Sequence, residues 1–196
     1  MITDYLNKYR LILASRSPRR QQLLRELGLR FDVVIKDWPE VYPVNLRGEE
    51  IALHVAREKA NLFKHEITDN EIVITADTIV WCNGKVLDKP VNKKDAIEIL
   101  SEISGNTHEV ITGVCLLSTK KQTVFFSSTK VTFDSLDEKE IDFYIENYKP
   151  YDKAGAYGIQ EWIGIAACSH IEGSFFNVMG LPVHKLYKEL QKFISE

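Results

Sequence analysis

"LILASRSPRRQQLLRELG", residues 11–28, predicts a short buried strand, a tight polar turn and a helix. Ser17 followed by Pro18 is typical of a helix N-cap and first turn, and Gly28 follows the last apolar position as a C-cap. The segment therefore predicts a strand–turn–helix unit of the kind from which α/β sheets are built.

Apolar runs and helical patterns continue to alternate through the first half of the chain, which is typical of α/β architecture. The predicted elements are strand 11–14, helix 18–27, strand 33–35, helix 49–64, strand 72–81, helix 93–104, strands near 110–117 and 124–133, a helix opened by a Ser135 and Glu138 capping box, and a last amphipathic helix from Pro182 through Phe193. Asn83-Gly84 lies between two apolar runs and predicts a type I′ hairpin. The sheet is therefore expected to be mixed rather than wholly parallel.

Composition sets broad limits on the class of protein. The chain has 196 residues, 44% of them hydrophobic and 27% charged, which predicts one globular domain over 1–196. A net charge of −3 argues against a general binder of nucleic acid or of membrane surfaces. No apolar run is long enough to span a bilayer and "MITDYLNKYR" has no signal-peptide core, so we expect a cytoplasmic protein.

The cysteines and histidines exclude several kinds of site. Cys82, Cys115 and Cys168 are odd in number and far apart, so neither a disulfide framework nor a zinc site is indicated. No HExxH or GxSxG pattern occurs, which argues against a zinc hydrolase and a serine hydrolase. Arginines, lysines and acids remain as candidates for chemistry.

Three arginines surround the start of the first predicted helix. Arg16, Arg19 and Arg20 lie where the unpaired N–H groups already carry positive partial charge, and neither Arg19 nor Arg20 has an acid three or four residues further on. One such arginine would be explained by solvation or by a tertiary salt bridge. For three of them a phosphate-binding site is favoured, although the Walker A pattern is absent.

Lys59 is placed at the centre of the apolar face of helix 49–64. At about 100° per residue, Ala52, Val55 and Ala56 fall on the same face as this lysine. Its stem could simply cover apolar surface with the ammonium in water. The small alanines beside it favour a second interpretation, in which the ammonium points at substrate phosphate.

Asp77 interrupts an apolar strand, "IVITADTIVW". A buried carboxylate is expensive unless it is paired or bound to a metal, so a buried ion pair and a functional site are both open. Lys85 and Lys89, which follow the same strand, favour function, and Glu40 contributes if it meets Asp77 in space.

The loop "DKAGAYGIQ" contains two glycines and ends on Gln160. Glycines permit close backbone approach to a ligand, and a glutamine amide can recognise the edge of a base. Taken alone, the segment is also compatible with an ordinary loop.

Seven segments together resemble the Maf family of nucleoside triphosphate pyrophosphatases. They are "LASRSPRR", "EKA", "ADTIV", "GKVLDKP", "LSEISGNTHEVITGV", "DKAGAYGIQ" and "GSFFNVMGLP", in the order of the family and from Leu13 to Pro182. The resemblance implies a mixed, curved α/β sheet flanked by helices, with two lobes around a deep cleft, as in the related ITPase-like folds. It also implies a homodimer.

The resemblance also implies roles for individual residues. Ser15, Arg19, Arg20, Lys59 and Lys89 match the family's phosphate-binding positions. Asp77 matches its proton acceptor, and Glu40 with Asp77 would hold a divalent cation of the Mg²⁺ or Mn²⁺ type. Arg19, Thr78 and Gln160 match the branch that prefers dTTP and UTP.

The implied activity is metal-dependent hydrolysis between the α- and β-phosphates, which yields a nucleoside monophosphate and pyrophosphate. CTP and modified pyrimidine nucleotides are further candidate substrates, and nucleotide pool control and cell division arrest are the implied roles in the cell. The alternative is a non-catalytic nucleotide- or nucleic-acid-binding regulator of septum formation. Net acidity disfavours stable nucleic-acid binding, and the acid-plus-lysine set is superfluous for binding alone.

Overall fold

The computed structural model describes residues 6–39 and 41–195. These residues form a seven-stranded sheet and seven α-helices, with one turn of 3₁₀-helix at Ala154–Ala156. The strands are β1 (Arg10–Leu13), β2 (Asp32–Val33), β3 (Glu71–Cys82), β4 (Lys85–Leu87), β5 (Thr107–Leu117), β6 (Gln122–Phe133) and β7 (Cys168–Glu172). The helices are α1 (Pro18–Glu26), α2 (Glu49–Asn61), α3 (Lys93–Ile103), α4 (Glu138–Tyr148), α5 (Trp162–Ala166), α6 (Phe175–Val178) and α7 (Val183–Ser195).

The sheet is mixed, as predicted. Its strand order is β2-β1-β3-β5-β6-β7, and β4 pairs with β3 outside this path. β1 runs parallel to β2 and to β3, whereas β3 with β4 and β6 with β7 are antiparallel. Asn83 and Gly84 join β3 to β4 with φ of 49° and 80°, the two positive values that a type I′ turn requires.

The helix ends described next have the capping residues that the sequence predicts, with one exception. Ser17 caps α1 by accepting a hydrogen bond from the Arg20 backbone N–H, Pro18 opens the helix, and Gly28 follows its end at a φ of 79°. The capping box predicted at Ser135 and Glu138 is wrong, because the reciprocal pair is Asp137 and Glu140, two residues further on. An aspartate caps as well as a serine does, so the sequence offered two overlapping signals.

The chain divides into two compact units. The first consists of the described residues up to Asp77, Thr112–Ser127 and the residues from Gly180, and the second consists of Thr78–Ile111 and Ser128–Met179. The predicted extent of a single domain, 1–196, and the predicted deep cleft stay predictions.

In the first unit, α2 lies against the sheet through a face of small residues. Ala52, Ala56 and Ala60 are fully buried. A Cβ added to Gly113 in β5 would overlap the Ala52 carbonyl and would lie 2.8 Å from the Leu53 nitrogen. The helix backbone therefore touches the sheet at a point where only glycine fits.

The core of the second unit includes an aromatic cluster that joins two of the quoted segments. His108 Nε2 lies 2.8 Å from the Tyr157 hydroxyl, and both rings meet Phe133 edge-on. Burial lowers the pKa of His108 to about 4, so its imidazole is neutral at physiological pH. His108, a buried residue of β5, thus has a structural role in this cluster.

Among the described residues, none of the helices has the length and apolar character needed to cross a membrane.

Gly113→Ala should destabilise the protein because its methyl group meets backbone that cannot rotate away. We expect a loss of about 3 kcal/mol in the free energy of unfolding, at the upper end for overpacking, measured by urea denaturation. Gly84→Ala is the control, since a Cβ there meets no atom within 4 Å and the variant bears only the cost of a positive φ, about 1 kcal/mol. A loss at Gly113 no larger than that at Gly84 would contradict this packing.

Candidate active site

The loop between β1 and α1 is held by its own serines. Ser15 is buried, and its hydroxyl oxygen accepts a hydrogen bond from the Ser17 backbone N–H at 3.3 Å. The first turn of α1 contains no acidic residue. The helix start thus combines N–H dipoles with arginine side chains, a combination suited to an anion.

Arg20 bridges three segments of the first unit. Its Nε donates to the Gly180 carbonyl at 2.8 Å, and its Nη1 donates to the Ala76 carbonyl at 2.9 Å and to Ser15 Oγ at 3.4 Å. Ala76 directly precedes Asp77, so the guanidinium fixes the backbone at the candidate catalytic carboxylate. The sequence predicts only anion binding for Arg20. The structure shows that Arg20 also holds three segments of the first unit together.

The other two arginines differ from Arg20. Arg16 pairs with Asp37 at 2.8 Å, and both side chains are largely exposed, at 72% and 85%. This is the tertiary salt bridge that the sequence left open for a single arginine, and such exposed pairs contribute little stability. Arg19 is half-buried in the first turn of α1.

Lys59 and Asp77, the two charged residues that the sequence placed on apolar surfaces, form an ion pair. Lys59 Nζ lies 2.8 Å from Asp77 Oδ1, with side-chain exposures of 19% and 14%. The Thr75 hydroxyl donates to the Ala56 carbonyl at 2.6 Å and ties α2 to β3 beside this pair. The ion pair foreseen as one alternative for Asp77 therefore exists, and Arg20 holds the backbone next to it.

Three further predicted residues belong to the second unit. Thr78 follows Asp77 in β3 and is half-buried, whereas Lys89 and Gln160 are exposed. The segments that carry Lys89 and Gln160 contact each other, since the Gly155 N–H donates to the Asp88 carbonyl at 3.3 Å. Lys89 and Gln160 are 71 positions apart in the sequence, and they thus lie on adjoining loops of one unit.

Lys85 has a structural partner. It forms an ion pair of 2.6 Å with Glu102, and the hydrogen bond from this lysine lowers the pKa of the Glu102 carboxyl. Lys85, in β4, therefore has a structural partner in the second unit, and its position gives no separate support for a functional role beside Lys89.

The predicted metal ligands are Glu40 and Asp77. Glu40 lies outside the described residues. Within 6–39 and 41–195 there is no group of three histidine, cysteine or acidic side chains that could hold an ion without help from a ligand. Asp77 is thus the candidate metal ligand that the structure describes, and the roles of all the predicted site residues stay predictions.

Sequence reasoning missed Gly113 and Gly180. Gly113 interrupts the apolar run "VITGVCLL", and a glycine inside a strand signals close backbone approach. Gly180 has a φ of 113° and supplies the carbonyl that Arg20 binds, an acceptor 160 residues away that no local pattern could indicate.

The fold and these contacts define a mixed α/β protein that gathers lysine, arginine, serine and aspartate around the middle of one strand. Residues 10–193 match the family model described as Maf-like protein, and the chain belongs to the Maf family. The dTTP/UTP pyrophosphatase of Bacteroides fragilis is 53% identical over 190 residues, which cover 95% of this chain and 97% of that protein. The protein of the same name from Flavobacterium johnsoniae is 50% identical over 194 residues, which cover 99% of this chain and 100% of that protein.

Among solved structures, the Ham1 protein of Staphylococcus aureus aligns with a TM-score of 0.42 at 11% identity, over 63% of this chain and 71% of that one. Similarity at this level carries no inference about fold or function.

Arg20→Lys should destabilise the ligand-free protein, because a single ammonium cannot serve the Ala76, Gly180 and Ser15 acceptors together. We expect a loss of about 2 kcal/mol in the free energy of unfolding, measured by urea denaturation. Arg16→Lys is the matched control and should change stability little, since its ion pair is exposed. Equal effects of the two substitutions would show that Arg20 does not hold the three segments.

Proposed function

We propose that this protein is a nucleoside triphosphate pyrophosphatase that hydrolyses dTTP and UTP to the nucleoside monophosphate and pyrophosphate. The observation that carries the proposal is the Lys59–Asp77 pair, at 2.8 Å, in a chain half identical over nearly its whole length to proteins named dTTP/UTP pyrophosphatase. A lysine, an arginine and a carboxylate around one strand suit a polyanionic substrate that must be bound and attacked by water.

Binding the triphosphate is the proposed task of the cations. A nucleoside triphosphate carries about four negative charges, and positioning with electrostatic stabilisation supplies most of the catalysis in phosphoryl transfer. In the first unit, Ser15, Arg19, Arg20 and Lys59 are the proposed phosphate ligands. The Arg20 guanidinium is already oriented by backbone carbonyls, so little side-chain freedom is lost when it meets an anion.

Asp77 is the proposed general base. Its carboxylate would accept a proton from water as the water oxygen attacks the α-phosphorus, and the bridging oxygen would leave with pyrophosphate. Lys59, at Oδ1 of the same carboxylate, would stabilise negative charge that develops on the phosphate.

For the second unit, the proposed roles rest on the family resemblance. Lys89 is a further proposed phosphate ligand, and Thr78 and Gln160 are proposed specificity residues, as Arg19 is in the first unit. CTP and modified pyrimidine nucleotides are the competing substrates against which this discrimination is to be measured.

A divalent cation of the Mg²⁺ or Mn²⁺ type is part of the proposal. Mg²⁺ is commonly held by one or two carboxylates together with substrate phosphates, and Asp77 supplies one such carboxylate within the described residues. Glu40 is the second proposed ligand. Such an ion would offset phosphate charge and polarise the phosphoryl oxygens.

The proposal extends to the assembly and the setting of the enzyme. A homodimer in the cytoplasm, acting in nucleotide pool control and in cell division arrest, is the expectation that the family resemblance supports.

The test is release of pyrophosphate and monophosphate from dTTP, UTP, CTP and methylated GTP, with Mg²⁺ or Mn²⁺. We expect turnover of dTTP and UTP, its loss on chelation with EDTA, and a fall of at least about 100-fold in kcat/KM for Asp77→Asn, because a general base contributes that much. Asp37→Asn, which removes the exposed partner of Arg16, is the control and should keep wild-type turnover.

Three results would contradict the proposal or a part of it. Absence of pyrophosphate from every substrate would favour a non-catalytic nucleotide binder. Near-normal turnover by folded Asp77→Asn would remove Asp77 from the mechanism. Full activity in EDTA would remove the cation.

A further inference from the structure

Lys153 is a buried lysine that the proposed mechanism does not use. Its side chain is 8% exposed, and its Nζ lies 2.8 Å from Asp152 Oδ1 and 3.2 Å from Glu161 Oε1. Burying a lysine costs free energy unless the ammonium is paired and hydrogen-bonded. A buried lysine at this position therefore calls for a structural or functional reason.

Glu161 links that lysine to a tyrosine. Its Oε1 faces Lys153, and its Oε2 accepts a short hydrogen bond from the hydroxyl of Tyr144, which is fully buried in α4. The same hydroxyl oxygen accepts from the Gly158 backbone N–H at 3.0 Å. Burial, together with the bond to Glu161, raises the pKa of Tyr144, so its hydroxyl remains protonated and continues to donate.

These contacts surround one tight turn. The Glu161 N–H donates to the Gly158 carbonyl at 2.9 Å and closes the turn 158–161. A Cβ on Gly158 would lie 2.7 Å from Glu161 Cδ, so the carboxylate packs directly onto the turn. Gln160 is the residue of this turn that is exposed, while Gly158 and Ile159 are buried. The network of Lys153, Glu161 and Tyr144 therefore fixes both ends of a turn whose outward side chain is Gln160.

Stability alone does not explain an ionic network at this place. Well-packed apolar residues of similar volume often stabilise a fold as well as a buried ion pair does. A fully satisfied polar network, by contrast, imposes one geometry on the backbone that it bonds. The geometry imposed here is that of the Gln160 backbone.

A glutamine whose backbone is fixed presents its side-chain amide to a base from one defined position. Its side-chain amide has an oxygen acceptor at one corner and an NH₂ donor at the other. Uracil and thymine present an O4 acceptor where cytosine presents an N4 donor, so an amide held in one orientation accepts one pattern and rejects the other. A mobile turn would let the amide approach either base from the position that suits its donor and acceptor pattern.

We infer that Lys153, Glu161 and Tyr144 are positioning residues that hold Gln160 so that the enzyme discriminates uracil and thymine from cytosine. This inference rests on the proposed function and deepens it by assigning base selectivity to a network behind the turn.

The test compares kcat/KM for UTP with that for CTP in Tyr144→Phe, which removes only the hydroxyl shared by Glu161 and Gly158. We expect the UTP:CTP ratio to fall about tenfold through a higher KM for UTP, with kcat for UTP within about twofold of wild type, because the phosphate-binding residues are untouched. Tyr148→Phe is the matched control, since its ring stacks on Tyr144 in the same helix and its hydroxyl takes no part in the network. Its ratio should equal that of wild type.

A double-mutant cycle separates positioning from mere stability. Gln160→Ala should lower the UTP:CTP ratio by itself, and adding Tyr144→Phe should lower it no further, because the tyrosine acts through the glutamine. Glu161→Gln is the second variant, to be used if Tyr144→Phe does not fold, and should lower the ratio in the same direction.

An unchanged ratio in folded Tyr144→Phe or Glu161→Gln overturns the inference, as does an additive effect with Gln160→Ala. In each of these cases wild-type pyrophosphate release leaves the proposed function standing. A wild-type protein that releases pyrophosphate from none of the triphosphates overturns the proposed function and the inference with it.

Discussion

Close approach of α2 to the sheet is the constraint on which the first unit depends. Gly113 leaves room for the Ala52 carbonyl, and Thr75 fixes the distance through its bond to Ala56 at 2.6 Å. A larger residue at any of these contacts would lift the helix. Lys59 reaches Asp77 at 2.8 Å because the helix is this close, so backbone packing at one point sets the spacing of the charged groups at another.

Two cations near β3, Arg20 and Lys59, are each held by contacts within the protein. Arg20 is anchored on the carbonyls of Ala76 and Gly180, and Lys59 on a carboxylate. Groups fixed in this way need little reorganisation when they meet an anion, which is the general source of electrostatic catalysis in phosphoryl transfer. The same principle recurs in the second unit, where Lys153, Glu161 and Tyr144 fix the turn that carries Gln160.

Local signals predicted much of the fold, and contacts between distant residues account for what they missed. The Ser17 cap, the Asn83-Gly84 turn and the mixed sheet depend on neighbouring residues or on periodicity, and the structure confirms them. The capping box was misplaced by two residues because Asp137 competes with Ser135 for the same role.

The site, too, was predictable only where local sequence carries a signal. Lys59 and Asp77 stood out because each contradicts the apolar pattern around it, but that they meet each other depends on helix packing. The bond from Arg20 to Gly180 spans 160 residues and leaves no trace in local sequence. The roles of Glu40, Thr78 and Lys89 were taken from family resemblance and stay predictions.

The central claim is that water attacks the α-phosphorus at the site formed around Asp77. It is tested most directly by hydrolysis of dTTP in water enriched in ¹⁸O, with both products analysed by mass spectrometry. The account predicts that the label enters dTMP and is absent from pyrophosphate, since the bond broken is that between the α-phosphorus and the bridging oxygen. Label in pyrophosphate, or release of dTDP and inorganic phosphate, would contradict it.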